Sequence, residues 1–388
     1  MGALEMSERI VAAFVPLVDC AVLVAARERG FASAVGLDLV LVKEPSWASL
    51  RDHLSLGHVD CAHALAPLPV ALTLGVGHVQ VDCVAPFVLG RGGNAITVSN
   101  RLFAEMQAAA PNQALTEPVT AGRALAAVVR RRKTSLTLGM VFPFSNHNFD
   151  LRYWLAAAGV HPDRDVRLVA IPPPLMVESL SAGLVDGFCV GEPWNSLAVA
   201  HGLGHIVTTQ SQLFPGAAEK VLALRTAFAE RSERLPLLLR ALDAAAAWAD
   251  DPANRDALAA LLARPEYLGV PQPIVAAALD GRVPFASAAG HRIADFLYFH
   301  RRAANAPRET DGLWAYAQMV RWGQIAASDG AERAAASVFR PDLYRCGGNM
   351  ATAEPVLPPF DRVPFSSNVS AYLAQFELHT PFAAAISA

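Results

Sequence analysis

Between Arg9 and Ala200 the chain alternates short apolar runs with segments of helical period, and it does so in two successive rounds. Ile10–Val15, Leu37–Val42 and Val59–Ala64 are short, and turn residues bound them. Trp47–Leu56 is periodic, with Ser46 placed to cap it and Gly57 to end it. Short apolar runs interleaved with such helices predict a parallel sheet with helical crossovers.

The first round predicts strands at 9–15, 37–42, 59–64 and 79–88. Its helices are 20–29, with Asp19 as N-cap, 47–56 and 67–75. The second round predicts strands at 94–98, 136–142, 165–170 and 185–190, with helices at 100–110, 121–132, 150–158, 175–182 and 192–200. Past Ile206 the chain turns back toward the first round through Lys220–Leu224. Beyond about 226, Ala/Leu-rich helices take over. Residues 340–369, rich in Pro and Asn, are expected to be extended, with a last helix over 368–376. The division is residues 1–93 as a first α/β lobe, 94–219 as a second, and 220–388 as the return to the first lobe plus a helical region. Two α/β lobes joined by two crossovers predict a hinged clamshell. Ligands of open α/β sheets sit beyond the carboxyl ends of strands, which places the ligand in the cleft.

With 388 residues, 53% hydrophobic and 17% charged, the chain has ample material for a core. A net charge of −3 gives no basic footprint for nucleic acid, and Arg130-Arg131-Arg132-Lys133 reads as a solvated turn before a strand. The uncharged stretch 61–81 is broken by Pro67, Pro69, Gly75 and Gly77, so no membrane span is expected. The five cysteines are scattered without C-x-x-C spacing, which argues against a disulfide or metal framework and suits a reducing compartment. The first eight residues carry Glu5 and Glu8 and no Lys or Arg, which is not the start of an export signal. A cytoplasmic location is expected.

Enzyme motifs are missing: there is no Walker A loop, no G-x-S-x-G elbow and no H-E-x-x-H. Gly90-Arg91-Gly92-Gly93 precedes a strand, so it is not a dinucleotide loop. No catalytic residue, cofactor or metal is assigned. The candidate ligand positions lie at strand ends. In Phe142-Pro143-Phe144-Ser145-Asn146-His147-Asn148 a strand feeds a helix start, a natural seat for a small anion. His147 there either donates to such an anion or caps the helix. Trp47 is a packing residue or a flat wall beside a planar ligand. Asn94, at the passage from the first round to the second, donates to an oxyanion or makes a turn. His63 and Glu192 end strands and are minor cleft-lining candidates. Pro172-Pro173-Pro174 would expose the Leu175 N–H to the cleft. Lys220, taken alone, reads as a surface lysine.

Together these segments resemble the nitrate/bicarbonate solute-binding family, the binding proteins of nitrate-type ABC importers. The resemblance is carried by Lys43-Glu44-Pro45-Ser46-Trp47, Ala62-His63-Ala64-Leu65-Ala66-Pro67, Gly93-Asn94-Ala95-Ile96, His147 through Arg152-Tyr153-Trp154-Leu155, Pro172-Pro173-Pro174, Asp186-Gly187-Phe188 through Glu192-Pro193-Trp194-Asn195, and Glu219-Lys220-Val221. It implies a two-lobed, type II periplasmic-binding-protein clamshell with extra C-terminal helices. It also implies a nitrate or nitrite site made by Trp47, Asn94, His147 and Lys220, with Pro173 lining the cleft. Transport members carry Gln where Asn94 stands. With no export signal expected, the resemblance narrows to the NasS-type cytoplasmic sensor. Such a sensor holds a NasT-type ANTAR-domain antiterminator until nitrate or nitrite releases it, and so controls nitrate-assimilation genes. The alternative is the periplasmic nitrate- or bicarbonate-binding component of an ABC importer. A third reading, an enzyme of thiamine-pyrimidine synthesis on a related clamshell, needs a reactive His and Cys arrangement that is not found. Nitrate has three acceptor oxygens and no donor, so its site needs donors, positive charge and a flat wall. Bicarbonate adds an O–H and wants an acceptor.

Overall fold

The computed structural model describes residues 8–285, 291–348, 350–355 and 357–379. Two sheets dominate it. In the first, β1 (Glu8–Phe14) lies between β2 (Leu37–Lys43) and β3 (Cys61–Leu65), all parallel. Helices α1 (Ala21–Glu28), α2 (Trp47–Leu56) and α3 (Pro67–Thr73) make the connections. The chain leaves this sheet along β4 (Cys83–Gly92) and enters the second at once through β5 (Asn94–Ser99).

The second sheet follows the order β7–β6–β8–β5–β9, where β6 is Leu136–Met140, β7 Val166–Ala170, β8 Gly187–Gly191 and β9 Gly204–Thr209. Its helices are α4 (Asn100–Ala109), α5 (Pro118–Arg131), α6 (Asn146–Ala157), α7 (Met176–Ser181), α8 (Trp194–Ala200) and the one-turn α9 (Gln210–Leu213). The chain then returns as β10 (Ala218–Arg225), which inserts antiparallel between β3 and β4. Apart from the two-residue strand Leu297–Tyr298, antiparallel on the edge of the first sheet, each sheet is parallel except where a strand arrives from the other lobe.

That exception positions the site. An antiparallel strand begins where its parallel neighbours end. Asn94, the first residue of β5, pairs with Gly191 at the end of β8, and Lys220, near the start of β10, pairs with Leu65 at the end of β3. Both crossovers thus deliver their first residues to the carboxyl edge of a sheet, where ligands of open α/β folds collect.

Behind each edge the strands are apolar on both faces, as buried parallel sheets must be. Ile10, Leu65, Val88 and Leu222 fill the first lobe; Ile96, Leu138, Trp154 and Val207 fill the second. Each such side chain contributes roughly 2 kcal/mol by leaving water. The region after β10 packs mainly on the first lobe but reaches the second. In the helix Glu309–Arg321, the Trp314 ring meets Phe149 and Phe214 edge-on at 6.1 and 5.4 Å. Gln324 Nε2 donates to the Pro143 carbonyl at 3.1 Å, and Phe360 N–H to that of Leu213 at 3.0 Å.

Several sequence expectations shift. The strand placed at 79–88 runs from 83 to 92, so Gly90-Arg91-Gly92 is strand and not loop. The helix expected from 150 starts at Asn146, because Ser145 caps it, its Oγ accepting from Asn148 N–H at 3.1 Å. The stretch 340–369, expected to be extended, contains the helix Pro341–Cys346. Asp19 does not cap α1; it sits in a 3-10 turn, Val18–Cys20.

Buried Arg91 joins the connections. Its Nε and Nη2 donate to the carbonyls of Ala304 and Ala306 at 2.9 and 3.0 Å, and Nη1 to that of Gly216, between α9 and β10, at 2.9 Å. Beside it, Gly92 has φ +74°, and a Cβ there would run into the Phe296 carbonyl oxygen, which accepts the Gly93 N–H at 2.7 Å. Gly92→Ala should therefore destabilise the protein by about 2 kcal/mol or more. Urea unfolding with an unchanged midpoint would contradict this packing of the first crossover.

Candidate functional site

The carboxyl edges of the two sheets face each other, and their polar side chains meet out of water. Lys220 is at the centre with 0% exposure. Its ammonium lies 2.9 Å from Asp19 Oδ2 and 2.6 Å from Glu219 Oε1, and 5.5 Å from the centre of the Trp47 ring. A buried ammonium is tolerated only when paired and hydrogen-bonded, and here two carboxylates do this. His63 Nε2 is 2.9 Å from the other Asp19 oxygen, and its ring is 6.0 Å from that of Trp47.

The second lobe closes the network. Glu219 Oε2 accepts from Asn146 Nδ2 at 2.8 Å and from Gln210 Nε2 at 2.7 Å; His147 Nε2 stands 3.7 Å from Oε1. Asn146 and His147 occupy the first turn of α6, Gln210 opens α9, and Asn94 opens β5. Two further bonds join the lobes beside this cluster. Val18 N–H donates to the Glu192 carbonyl at 2.8 Å, and the Trp194 indole N–H to that of Pro16 at 3.1 Å.

The charges sort by partner. Burial pushes the Asp19 carboxyl up, but Lys220 and His63 overcome it and hold Asp19 well below the usual carboxylate range. Burial likewise opposes the Lys220 ammonium, and Asp19 and Glu219 more than restore it, so its proton is held tighter than usual. His147 has less compensation: burial brings it down to about 4, leaving a neutral imidazole at pH 7. The Glu192 carboxyl is pushed up to about 7 by burial; only Ser196 opposes the shift, its N–H donating to Oε2 at 3.1 Å.

Several buried polar atoms here have no hydrogen-bond partner among the described residues: Trp47 Nε1, both amide atoms of Asn94, both ring nitrogens of His147, and Glu192 Oε1. Native interiors leave few such atoms, so a group of them turned toward one cleft fits a small polar ligand with several acceptors. Nothing in the arrangement pairs an activated nucleophile with a base. Cys189 is a buried thiol whose ionisation is opposed by burial and by Asp150 and Glu219.

Trp47, Asn94, His147 and Lys220 therefore come together from four separate segments, with His63 against Asp19 and Glu192 at the rim. Pro173 does not join the polar network. It opens a 3-10 turn, Pro173–Leu175, at the edge of the second sheet. The Leu175 N–H expected to face the cleft donates instead to the Pro172 carbonyl at 2.9 Å, and the Leu175 side chain is 48% exposed. Sequence reasoning missed the acids. Asp19 was read as a helix cap, and Glu219 and Asp150 were not singled out. The available signal was Glu219 next to Lys220 on a strand reading as buried, since an acid and a base in such a strand need each other. The positive site expected from Lys220 is, by itself, a cation already matched by two anions.

The chain matches the NMT1-like family over residues 5–263. It is 32% identical over 361 residues to the nitrate/nitrite binding protein NrtA of Synechococcus elongatus, covering 90% of this chain and 79% of that one. It is 38% identical over 340 residues to the nitrate import ATP-binding protein NrtC of Synechocystis sp., covering 85% of this chain and 48% of that protein. The chain thus spans about half the length of that import ATP-binding relative. Among solved structures, the periplasmic nitrate-binding protein NrtA from Synechocystis superposes with a TM-score of 0.88 at 26% identity, covering 95% and 98% of the two chains.

Glu192 offers a direct check on the burial of this edge. Its carboxyl, shifted from 4.5 to about 7 in the fold, loses its proton earlier in the unfolded chain. Its effect on stability is thus neutral in acid, grows more unfavourable as pH rises through that window, and is level above it. Glu192→Gln should be more stable than wild type by up to about 3 kcal/mol above neutral pH, with the difference vanishing in acid. Denaturant unfolding at both ends of the window reads this out; a constant difference would contradict a buried, neutral Glu192.

Proposed function

Since the chain belongs to the NMT1-like family, we propose that its interlobe cleft binds a small planar oxyanion, nitrate first among them, as the substrate-binding part of a nitrate-import system. The observation that carries this reading is the convergence of Trp47, Asn94 and His147, all buried and with unpartnered polar atoms, around the Lys220 ammonium. The indole face suits a flat, weakly hydrated anion. The Asn94 amide and the imidazole supply donors from the second lobe, and the ammonium, already bonded to Asp19 and Glu219, has one N–H left to offer. Nitrite offers the same acceptors with one oxygen fewer and fits the same donors. Bicarbonate also needs an acceptor for its O–H, and Asn94 Oδ1 and Glu192 Oε1 are unpartnered acceptors among the described residues.

The family relatives named for nitrate import support the importer setting over the cytoplasmic sensor anticipated from the sequence. The sensor reading, with its ANTAR-domain antiterminator, has no comparable support. The likeness to a protein twice as long also fits a chain that works beside, or joined to, an ATP-binding module. The importer setting implies a location outside the cytoplasmic membrane.

Calorimetric titration of the purified protein with sodium nitrate should give saturable one-to-one binding. Asn94→Ala should weaken it by roughly tenfold or more, the value of a hydrogen bond to a charged group, with melting temperature and circular dichroism as controls for folding. Binding that ignores this substitution would remove the site from the cleft. Fractionation of cells making the protein separates the two settings. Recovery in the cytoplasm, with an ANTAR-domain protein that nitrate strips off, would restore the sensor.

A further inference from the structure

The site holds more acid than an anion receptor should. Asp19 and Glu219 carry two negative charges against the single positive charge of Lys220. A third carboxyl, that of Asp150, lies just behind them at 1% exposure. It stands on α6 three residues after His147 and four after Asn146, spacings that put all three on one helix face. Asn94 on β5 and Gln210 on α9 are its polar neighbours. Neither carboxyl oxygen has a hydrogen-bond partner of good geometry among the described residues, and no ion pair reaches it. Glu219, the nearest acid, has its oxygens engaged by Lys220, Asn146 and Gln210.

A charged carboxylate cannot stay in that place. It would be buried without a cation and set beside a second carboxylate. Burial first, then the charge of Glu219, push the Asp150 carboxyl well above its usual range; Asn94, Gln210 and the more distant Lys220 pull the other way and do not prevail. The remaining titratable groups that face it are the Cys189 thiol on β8 and neutral His147 on its own helix. A protonated carboxyl is a donor, and a fully buried one resting beside an unpartnered amide is a donor in reserve.

We propose that Asp150 is a ligand of the bound oxyanion: it enters the site as the neutral acid and donates its O–H to the same anion oxygen edge that the Asn94 amide addresses. This rests on the reading of the cleft as a nitrate site and adds to it a residue and a proton. The proton keeps a third negative charge out of the site. With Asp150 neutral, the site presents to an anion one ammonium, two carboxylates that already belong to it, and only neutral donors elsewhere. With Asp150 ionised, an incoming anion would meet a third, unpaired negative charge. Anion affinity is therefore full where Asp150 holds its proton and is lost as the pH rises through the point at which it ionises.

The test compares Asp150→Asn, which keeps a donor and cannot ionise, with Asp150→Ala, which removes the donor. Nitrate is titrated calorimetrically into each protein on the acid and alkaline sides of neutrality, with melting temperature and circular dichroism as controls for folding. Expected are affinity for Asp150→Asn close to that of wild type, a loss of roughly tenfold or more for Asp150→Ala, and a wild-type affinity that falls toward alkaline pH while that of Asp150→Asn stays level. Glu192 titrates near neutrality but is common to both proteins, so the difference between their profiles belongs to Asp150. Equal affinity in all three proteins, or an equal loss in both variants, overturns the assignment while leaving nitrate binding in place. A wild type that binds no nitrate overturns both.

Discussion

A lysine without access to water sets the terms for this molecule. Lys220 cannot be buried alone, because an unpaired ammonium in a protein interior costs several kcal/mol. Asp19 and Glu219 answer that charge, and each brings its own requirements. Asp19 draws His63 and fixes the turn after β1; Glu219 draws Asn146 and Gln210 from the other lobe. The pairing thus extends outward until it spans the cleft. Closing the two lobes and satisfying one strand's polar residues are one requirement, because β10 arrives from the second lobe and ends in the first.

Much of this was legible in the sequence. Alternation of strand and helix specified two α/β lobes, and the turn chemistry of Ser46 and Gly57 fixed α2 to the residue. Boundaries slipped where local signals compete: Cys83–Gly92 carries three residues that read as loop, and only pairing with β10 and the short strand Leu297–Tyr298 makes them strand. Trp47, His147 and Lys220 were singled out through the family resemblance, since taken alone Lys220 reads as a surface lysine and Trp47 as a packing residue. The acids were not. Asp19 looks like any cap until the chain is folded, and Asp150 looks like a polar residue on a helix surface until α6 is seen to be buried on nearly all sides. Both owe their character to elements remote in sequence.

Of the four acids at this edge, Asp19, Glu219, Asp150 and Glu192, three end in distinct electrostatic states. Asp19 is anchored as an anion by a cation and an imidazole; Asp150, with no cation, stays neutral; Glu192, buried but capped by one backbone N–H, sits between them near neutrality. What separates them is the distance to Lys220 and the supply of donors. A single buried ammonium therefore arranges the protonation of its neighbours as well as their positions.

Arg91 gives the clamshell its mechanics. Its guanidinium fastens the end of β4 to the carbonyl of Gly216 in the other connection and to those of Ala304 and Ala306. The two crossovers are thereby riveted at one point. Two strips pinned together can flex about a shared line, but they resist shearing past each other or twisting apart. Any swing of one lobe against the other would have to pivot near that pin.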